Sequence, residues 1–143
     1  MFMKQRQGRA LPKKTLKKMP KKKTPMISIV DDDEAVRNAT KTLIRALGYR
    51  AVTFASAEEF LSSTCLHETS CLISDVQMPG LTGIELQDRL AASGHRIPII
   101  FVTAFPDDRT RDRAMRSGAV SFMSKPYSEA NLIVCLDRAL KAA

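Results

Sequence analysis

No stretch of about 18 consecutive apolar residues occurs in this sequence, so it predicts no membrane-spanning helix. Its first 25 residues also lack the apolar centre of a secretory signal peptide. Cysteine is scarce: Cys65, Cys71 and Cys135 form no Cys-x-x-Cys pair and leave an odd number, which is typical of a reducing compartment. We therefore expect a cytoplasmic protein with no membrane partner, whose cysteines act mainly as small buried apolar side chains.

Acidic residues are absent from residues 1–25, which carry ten of the 23 lysines and arginines. Residues 26–143 therefore hold 13 basic and 15 acidic residues, so the net charge of +8 belongs to the basic segment and not to the domain. Because this segment is rich in lysine and proline and shows no apolar periodicity, we predict a disordered tail over 1–25 and one domain over 26–143. Three interpretations of the tail remain open: an inert or solubilising leader, an arm for nucleic acid or an acidic partner, and an artefact of start-site choice before Met26.

Strand and helix patterns alternate five times after residue 25, which favours an α/β fold with a parallel sheet. Right-handed crossovers then give a flavodoxin-like (βα)5 domain with strand order 2-1-3-4-5 and helices on both faces. We predict the first helix over about 34–47 and a capping box, Ser56 with Glu59, at the start of the second. The predicted inward face of the first helix consists of Val36, Ala39, Leu43 and Leu47. That of the fifth helix consists of Leu132, Ile133, Leu136 and Leu140.

Four of the strand-like runs end in a polar or charged side chain. The first run ends in an acidic cluster that begins with Asp31 and Asp32, and the others end in Asp75, Thr103 and Lys125. In an open parallel sheet, ligands bind beyond the carboxyl ends of the strands, near the point where strand order reverses. Oxygen ligands of this kind suit a hard cation such as Mg²⁺, although an acidic first turn of a helix is the simpler alternative for the cluster. Together, a metal, a carboxylate, a hydroxyl and an ammonium group make a site for receiving a phosphoryl group.

These motifs resemble those of one family, the receiver domain of two-component response regulators. The resemblance covers about residues 26–143 and rests on the acid pair after the first strand, Asp75-Val76-Gln77-Met78-Pro79-Gly80, Thr103-Ala104, Phe122 and Lys125-Pro126. The local sequences 29–33 and 54–60 look most like the FixJ-type branch, in which a helix-turn-helix domain commonly follows the receiver. None follows in this sequence, so we expect a receiver without an output domain.

The resemblance implies a role for each residue at the predicted site. Asp75 would be the phosphoryl acceptor, and Mg²⁺ would bind Asp31, Asp32, Asp75 and the backbone carbonyl of Gln77, with Asp32 as the direct ligand. Lys125 would pair with Asp75 at rest. Its peptide bond to Pro126 would be cis, which would direct the ammonium group into the site.

The resemblance also implies a switch. The Thr103 hydroxyl would bind the phosphoryl group once it is present, and the aromatic ring of Phe122 would turn inward in response. Phe105, two residues beyond Thr103, is expected to shield the acyl phosphate. The two histidines, His67 and His95, have no partner at metal-ligand spacing and are expected in loops.

The predicted function is a phosphorylation-dependent signalling switch rather than an enzyme. It would take its phosphoryl group from a histidine kinase or a histidine phosphotransfer protein and act through protein contact or a phosphorelay. If the domain forms a homodimer, the two copies would contact each other through the fourth helix, fifth strand and fifth helix. The alternative is a DNA-binding transcriptional regulator that uses the basic tail or a missing output domain. Within this sequence, only the basic tail is predicted to contact nucleic acid. A Mg²⁺ phosphatase is disfavoured because Val76 and Gln77 replace the Asp-x-Asp spacing such enzymes need.

Overall fold

Strands and helices alternate along the computed structural model, which describes residues 24–142. Most of the predicted tail, residues 1–23, lies outside the described residues. None of the helices in the described range is both long and apolar enough to cross a membrane. The elements are β1 (Met26–Val30), α1 (Glu34–Ala46), β2 (Arg50–Phe54), α2 (Ala57–Leu61), a 3₁₀ helix (Thr64–Glu68), β3 (Cys71–Asp75), α3 (Gly83–Ala92), β4 (Ile99–Thr103), α4 (Asp108–Arg116), β5 (Ser121–Ser124) and α5 (Glu129–Ala142).

The five strands form one parallel sheet in the order β2-β1-β3-β4-β5. This confirms the predicted flavodoxin-like topology. Because β1 pairs with both β2 and β3, the strand order reverses at β1, and the carboxyl ends of β1 and β3 border the crevice where such folds bind ligands. The 3₁₀ helix before β3 was not predicted.

Two apolar layers cover the sheet, one on each face. The side chains of α1 and α5 pack on one layer, and those of α2, α3 and α4 pack on the other. Side chains of neighbouring residues alternate between the layers, as Ile29 and Val30 do in β1 and Ile73 and Leu72 do in β3. Every residue of β1, β3 and β4 is buried, so packing on both faces fixes the positions of their carboxyl ends.

The inward face of α1 differs from the prediction. Thr40 and Ile44 are its buried residues, whereas Ala39 is exposed. Thr40 tolerates burial because its hydroxyl shares a hydrogen bond with the Tyr127 hydroxyl. The predicted Leu43 and Leu47 are partly buried against the same apolar layer, so the prediction is confirmed at these positions and wrong at Ala39.

The inward face of α5 is also shifted from the prediction. Leu132 and Leu136 are buried as expected, but Ile133 is 42% exposed. Cys135 and Ala139 complete the buried stripe, which therefore follows the i, i+3, i+4, i+7 spacing of an amphipathic helix. Leu140 is partly buried against the same layer, as predicted, so the prediction is wrong at Ile133 and did not include the small residues Cys135 and Ala139.

The predicted capping box of α2 forms only in part. Ser56 accepts a hydrogen bond from the Glu59 N–H at 3.1 Å, but the Glu59 carboxylate accepts from Ala55 instead of from Ser56. A complete capping box occurs at the start of α3, where Thr82 and Glu85 bond to each other's backbone N–H groups. This box fixes the end of the loop that follows Asp75.

Candidate functional site

Three carboxylates meet at the carboxyl ends of β1 and β3. Val30 is paired with Ser74 across the two strands, so Asp31 and Asp75 leave the sheet at the same level. One carboxylate oxygen from each of Asp31, Asp32 and Asp75 lies within 4.8 Å of the others. Asp31 and Asp75 are buried, whereas Asp32 is exposed, so the cluster has a closed side and a side open to solvent.

Lys125 contributes the positive charge of the site. Its Nζ donates to Asp31 Oδ2 at 2.8 Å and to Asp75 Oδ2 at 3.2 Å. Its backbone N–H donates to the Thr103 carbonyl at 2.7 Å, and the bond to Pro126 is cis. The sequence led us to expect Asp75 as the resting partner, but Asp31 makes the shorter contact.

Burial and charge shift the protonation equilibria of this cluster. Burial, and after it the negative charge of Asp31, raise the pKa of Asp75 above its usual range, although Lys125 and the Gln77 backbone N–H oppose the shift. For Lys125, burial alone would lower the pKa, but the hydrogen bonds and charges of Asp31 and Asp75 outweigh it and the pKa is raised. The site therefore favours the charged form of Lys125, and the Asp75 carboxylate is more basic than a free one.

The donor set fits Mg²⁺. All three side chains offer carboxylate oxygens, which hard cations prefer, and the exposed side at Asp32 leaves room for the waters that Mg²⁺ retains. Asp33 has a different role, because its Oδ1 accepts hydrogen bonds from the N–H groups of Ala35 and Val36 and caps α1. The acidic run thus contains both the metal-ligand candidates and the helix cap that the sequence left as alternatives.

Thr103 is fully buried at the end of β4, and its hydroxyl makes two hydrogen bonds to neighbouring groups. The hydroxyl donates to Gln77 Oε1 at 3.2 Å and accepts from the Phe105 N–H at 3.1 Å. The structure therefore places Gln77 and Thr103 in direct contact, which the sequence did not indicate. Phe105 is 71% exposed, so its side chain does not cover the site in this conformation.

Phe122 lies on β5, paired in register with Phe101 of β4. The two ring centroids are 6.3 Å apart, and Phe122 is half-buried. It lines a shallow groove between α4 and α5 together with Met115 and Arg138. The ring thus borders both the core below β4 and an exposed surface.

Two residues that position the loop after Asp75 were not predicted. A Cβ on Gly83 would lie 2.3 Å from the Asp75 carbonyl oxygen, so only glycine lets α3 begin this close to the site. The Glu58 carboxylate of α2 accepts from the Leu81 N–H at 3.1 Å and ties the same loop to α2. A glycine directly after the helix-capping Thr82 was a usable signal, whereas nothing in the sequence pointed to Glu58.

Residues 27–137 match the family model of the response regulator receiver domain. The chain is 41% identical over 118 residues to response regulator protein TmoT of Ectopseudomonas mendocina, covering 82% of this chain and 54% of that protein. It is 43% identical over 108 residues to nodulation protein W of Bradyrhizobium diazoefficiens, covering 76% of this chain and 48% of that protein. The crystal structure of FixJ-N superposes with a TM-score of 0.76 at 30% identity, covering 85% of this chain and 97% of that one. The chain thus spans about half the length of these two curated relatives.

Proposed function

The chain belongs to the family of response regulator receiver domains, and we propose that it is a phosphorylation-dependent switch with Asp75 as its phosphoryl acceptor. The observation that carries this proposal is the convergence of Asp75 with two further carboxylates and the Lys125 ammonium at the strand-order reversal. A histidine kinase or a histidine phosphotransfer protein would donate the phosphoryl group.

The transfer requires positioning and charge neutralisation more than covalent help from the protein. An Asp75 carboxylate oxygen attacks phosphorus, the bond from phosphorus to the donor imidazole nitrogen breaks, and an acyl phosphate forms. Asp31, Asp32, Asp75 and the Gln77 carbonyl would hold Mg²⁺, which when bound neutralises negative charge on the phosphoryl oxygens. Lys125 already donates to Asp75 and keeps an ammonium beside the new phosphate.

The switch would begin at the Thr103 hydroxyl. This hydroxyl donates to Gln77 at rest, and a phosphoryl group on Asp75 would compete for the same proton. Because the Lys125 N–H is bonded to the Thr103 carbonyl, movement of the end of β4 reaches β5 and Phe122. A phosphoryl group shifts such an equilibrium only through contacts that differ between the two states, and the contacts of Thr103 and Lys125 would be the ones that differ.

The output surface would be the face formed by α4, β5 and α5. Met115 on α4 and Phe122 on β5 line its groove, so inward rotation of the Phe122 ring would change the shape that a partner or a second copy contacts. The alternative output is DNA binding, through the basic segment or through a domain outside this sequence. The ten positive charges within residues 1–25 favour that alternative, and its binding would weaken steeply with salt.

Phosphorylation with acetyl phosphate and Mg²⁺, followed by mapping of the adduct by mass spectrometry, tests the acceptor assignment. We expect one phosphoryl group on Asp75, none on Asp75→Asn, and little labelling of Asp32→Asn at ordinary Mg²⁺ concentrations. Asp33→Asn is the matched control, because Asn also caps a helix and Asp33 lies outside the carboxylate cluster. Labelling of Asp75→Asn at wild-type level on another carboxylate would contradict the proposal.

A further inference from the structure

The fold brings the only two histidines of the sequence into contact. His67 lies in the 3₁₀ helix before β3, and His95 lies in the connection from α3 to β4. Their ring centroids are 5.3 Å apart, with an angle of 54° between the ring planes. Both connections enter the sheet at the amino ends of their strands, so the pair lies at the opposite edge from Asp75.

This separation fits two imidazoles on one tetrahedral metal ion when one ring nitrogen of each histidine faces that ion. With a metal–nitrogen bond of about 2.0–2.1 Å, the metal lies about 3.2 Å from each ring centre, and a tetrahedral angle separates the centres by about 5.2 Å. Rotation about each metal–nitrogen bond leaves the angle between the rings free, so the observed tilt is compatible with joint coordination. From this geometry we propose that His67 and His95 form a transition-metal site.

The backbone around both histidines is already anchored. In the 3₁₀ helix, the Ser63 side chain caps the Cys65 N–H, Leu66 is buried, and Thr69 Oγ1 donates to the Cys65 carbonyl at 2.7 Å. The His95 N–H donates to the Leu90 carbonyl at 2.9 Å. A metal ion therefore orders few additional groups when it binds, which lowers the entropic cost of binding.

The ligand type selects the ion. Imidazole suits Zn²⁺, Ni²⁺ and Cu²⁺, whereas Mg²⁺ prefers oxygen, so the histidine site and the acidic cluster take different metals. In the part of the chain that the structure describes, only the acidic cluster brings three or more carboxylate, imidazole or thiol ligands together. Water therefore completes the coordination of the histidine pair. The bound ion would join the 3₁₀ helix to the α3–β4 connection and stabilise the folded domain by linkage.

Zinc titration of the full chain, followed by calorimetry and by the NMR signals of the two imidazoles, tests this site. Mg²⁺ is kept in large excess so that the acidic cluster is occupied. We expect one zinc ion per chain, shifts of both imidazoles, and a zinc-dependent rise in melting temperature. His67→Ala and His95→Gln should each weaken this binding at least tenfold and abolish the thermal shift, and circular dichroism checks that both variants fold.

Two matched controls separate this site from other ligands. Cys65→Ser removes the nearest thiol in the sequence, and Asp32→Asn removes an exposed carboxylate of the acidic cluster; zinc affinity should persist in both. Residues 1–23 contain no histidine or cysteine, so they offer no competing nitrogen or sulfur ligand from those side chains. Zinc binding that survives loss of both histidines, or that disappears in Asp32→Asn, would overturn the proposal. Phosphorylation of Asp75 is a separate readout and should be unchanged in His67→Ala.

Discussion

The Lys125→Met substitution should destabilise the domain markedly, because it removes the ammonium that neutralises two buried carboxylates. The Asp31 and Asp75 side chains are 3% and 8% exposed, and Lys125 itself is 16% exposed. Removing one partner from a buried ion pair costs about 3–5 kcal/mol, and methionine preserves most of the apolar stem. Since water reaches the cluster beside Asp32, we expect the lower limit, about 3 kcal/mol. At roughly 4 °C for each kcal/mol in a domain of this size, the melting temperature should fall by about 12 °C.

Urea unfolding at pH 7 in EDTA measures this cost, and a double-mutant cycle assigns it to the carboxylates. Asp31→Asn combined with Lys125→Met should regain much of the lost stability, with a coupling of at least about 1 kcal/mol. Mg²⁺ should stabilise Lys125→Met more than the wild type, because the cation replaces the missing ammonium. A loss below about 1 kcal/mol, or no recovery in the double variant, would refute the electrostatic account of the site.

The pH dependence of this difference follows from the raised pKa of Lys125. A cation whose pKa is raised by folding adds stability below its unfolded pKa, about 10.4, and loses it as the pH rises through the folded value. The difference between wild type and Lys125→Met should therefore be constant from pH 7 to about pH 9. It should shrink under acidic conditions, where Asp75, whose pKa burial raises, becomes protonated and no longer needs a counterion.

Three further predictions follow from neighbouring groups. Asp75→Asn should stabilise the metal-free domain at pH 7, since the raised pKa makes ionisation of Asp75 costly when folded. Thermal melts should show this gain vanish below about pH 4, where the carboxyl group is neutral in both states. Gln77→Ala should tighten binding of beryllofluoride, because it removes the hydrogen bond of about 0.5–1 kcal/mol that the Thr103 hydroxyl donates to Gln77. NMR titrations should show an affinity about 2- to 5-fold higher, and unchanged affinity would contradict this. Half-buried Cys65 should react with a thiol reagent in the native state, whereas Cys71, whose pKa burial raises to about 12, should react only on unfolding.

The sequence predicted the strand ends well because local chemistry and topology agree there. Apolar runs followed by Asp31, Asp75 and Thr103 identify buried strands with polar carboxyl ends, and right-handed crossovers bring those ends to one edge. Burial of β1, β3 and β4 on both faces leaves little freedom in their positions. The relative placement of the site residues therefore needed no side-chain detail.

Side-chain partners were harder to predict because they depend on distances of one or two ångströms. Lys125 contacts both Asp31 and Asp75, and which of the two contacts is shorter depends on the strand register and the chain path after β5. Thr40 can be buried because its hydroxyl shares a hydrogen bond with that of Tyr127, which lies 87 residues further along the sequence. Exposure of Ile133 reflects which residues of α5 meet the sheet, and a hydrophobicity pattern with several apolar neighbours leaves that choice open.

In the proposed switch, a phosphoryl group on Asp75 would replace the contacts of the resting state one by one. Lys125 donates to two carboxylates, so it would keep one partner while it turned to a phosphate oxygen. The Thr103 hydroxyl bonds to Gln77, an exposed amide that water can satisfy once the hydroxyl leaves. Lys125 and Gln77 would therefore keep polar partners through the exchange, so the net cost of each lost contact stays near the modest net worth of a single hydrogen bond, about 1 kcal/mol. In the proposed switch, a small number of new charge-assisted bonds at Asp75 would therefore be enough to reverse the equilibrium.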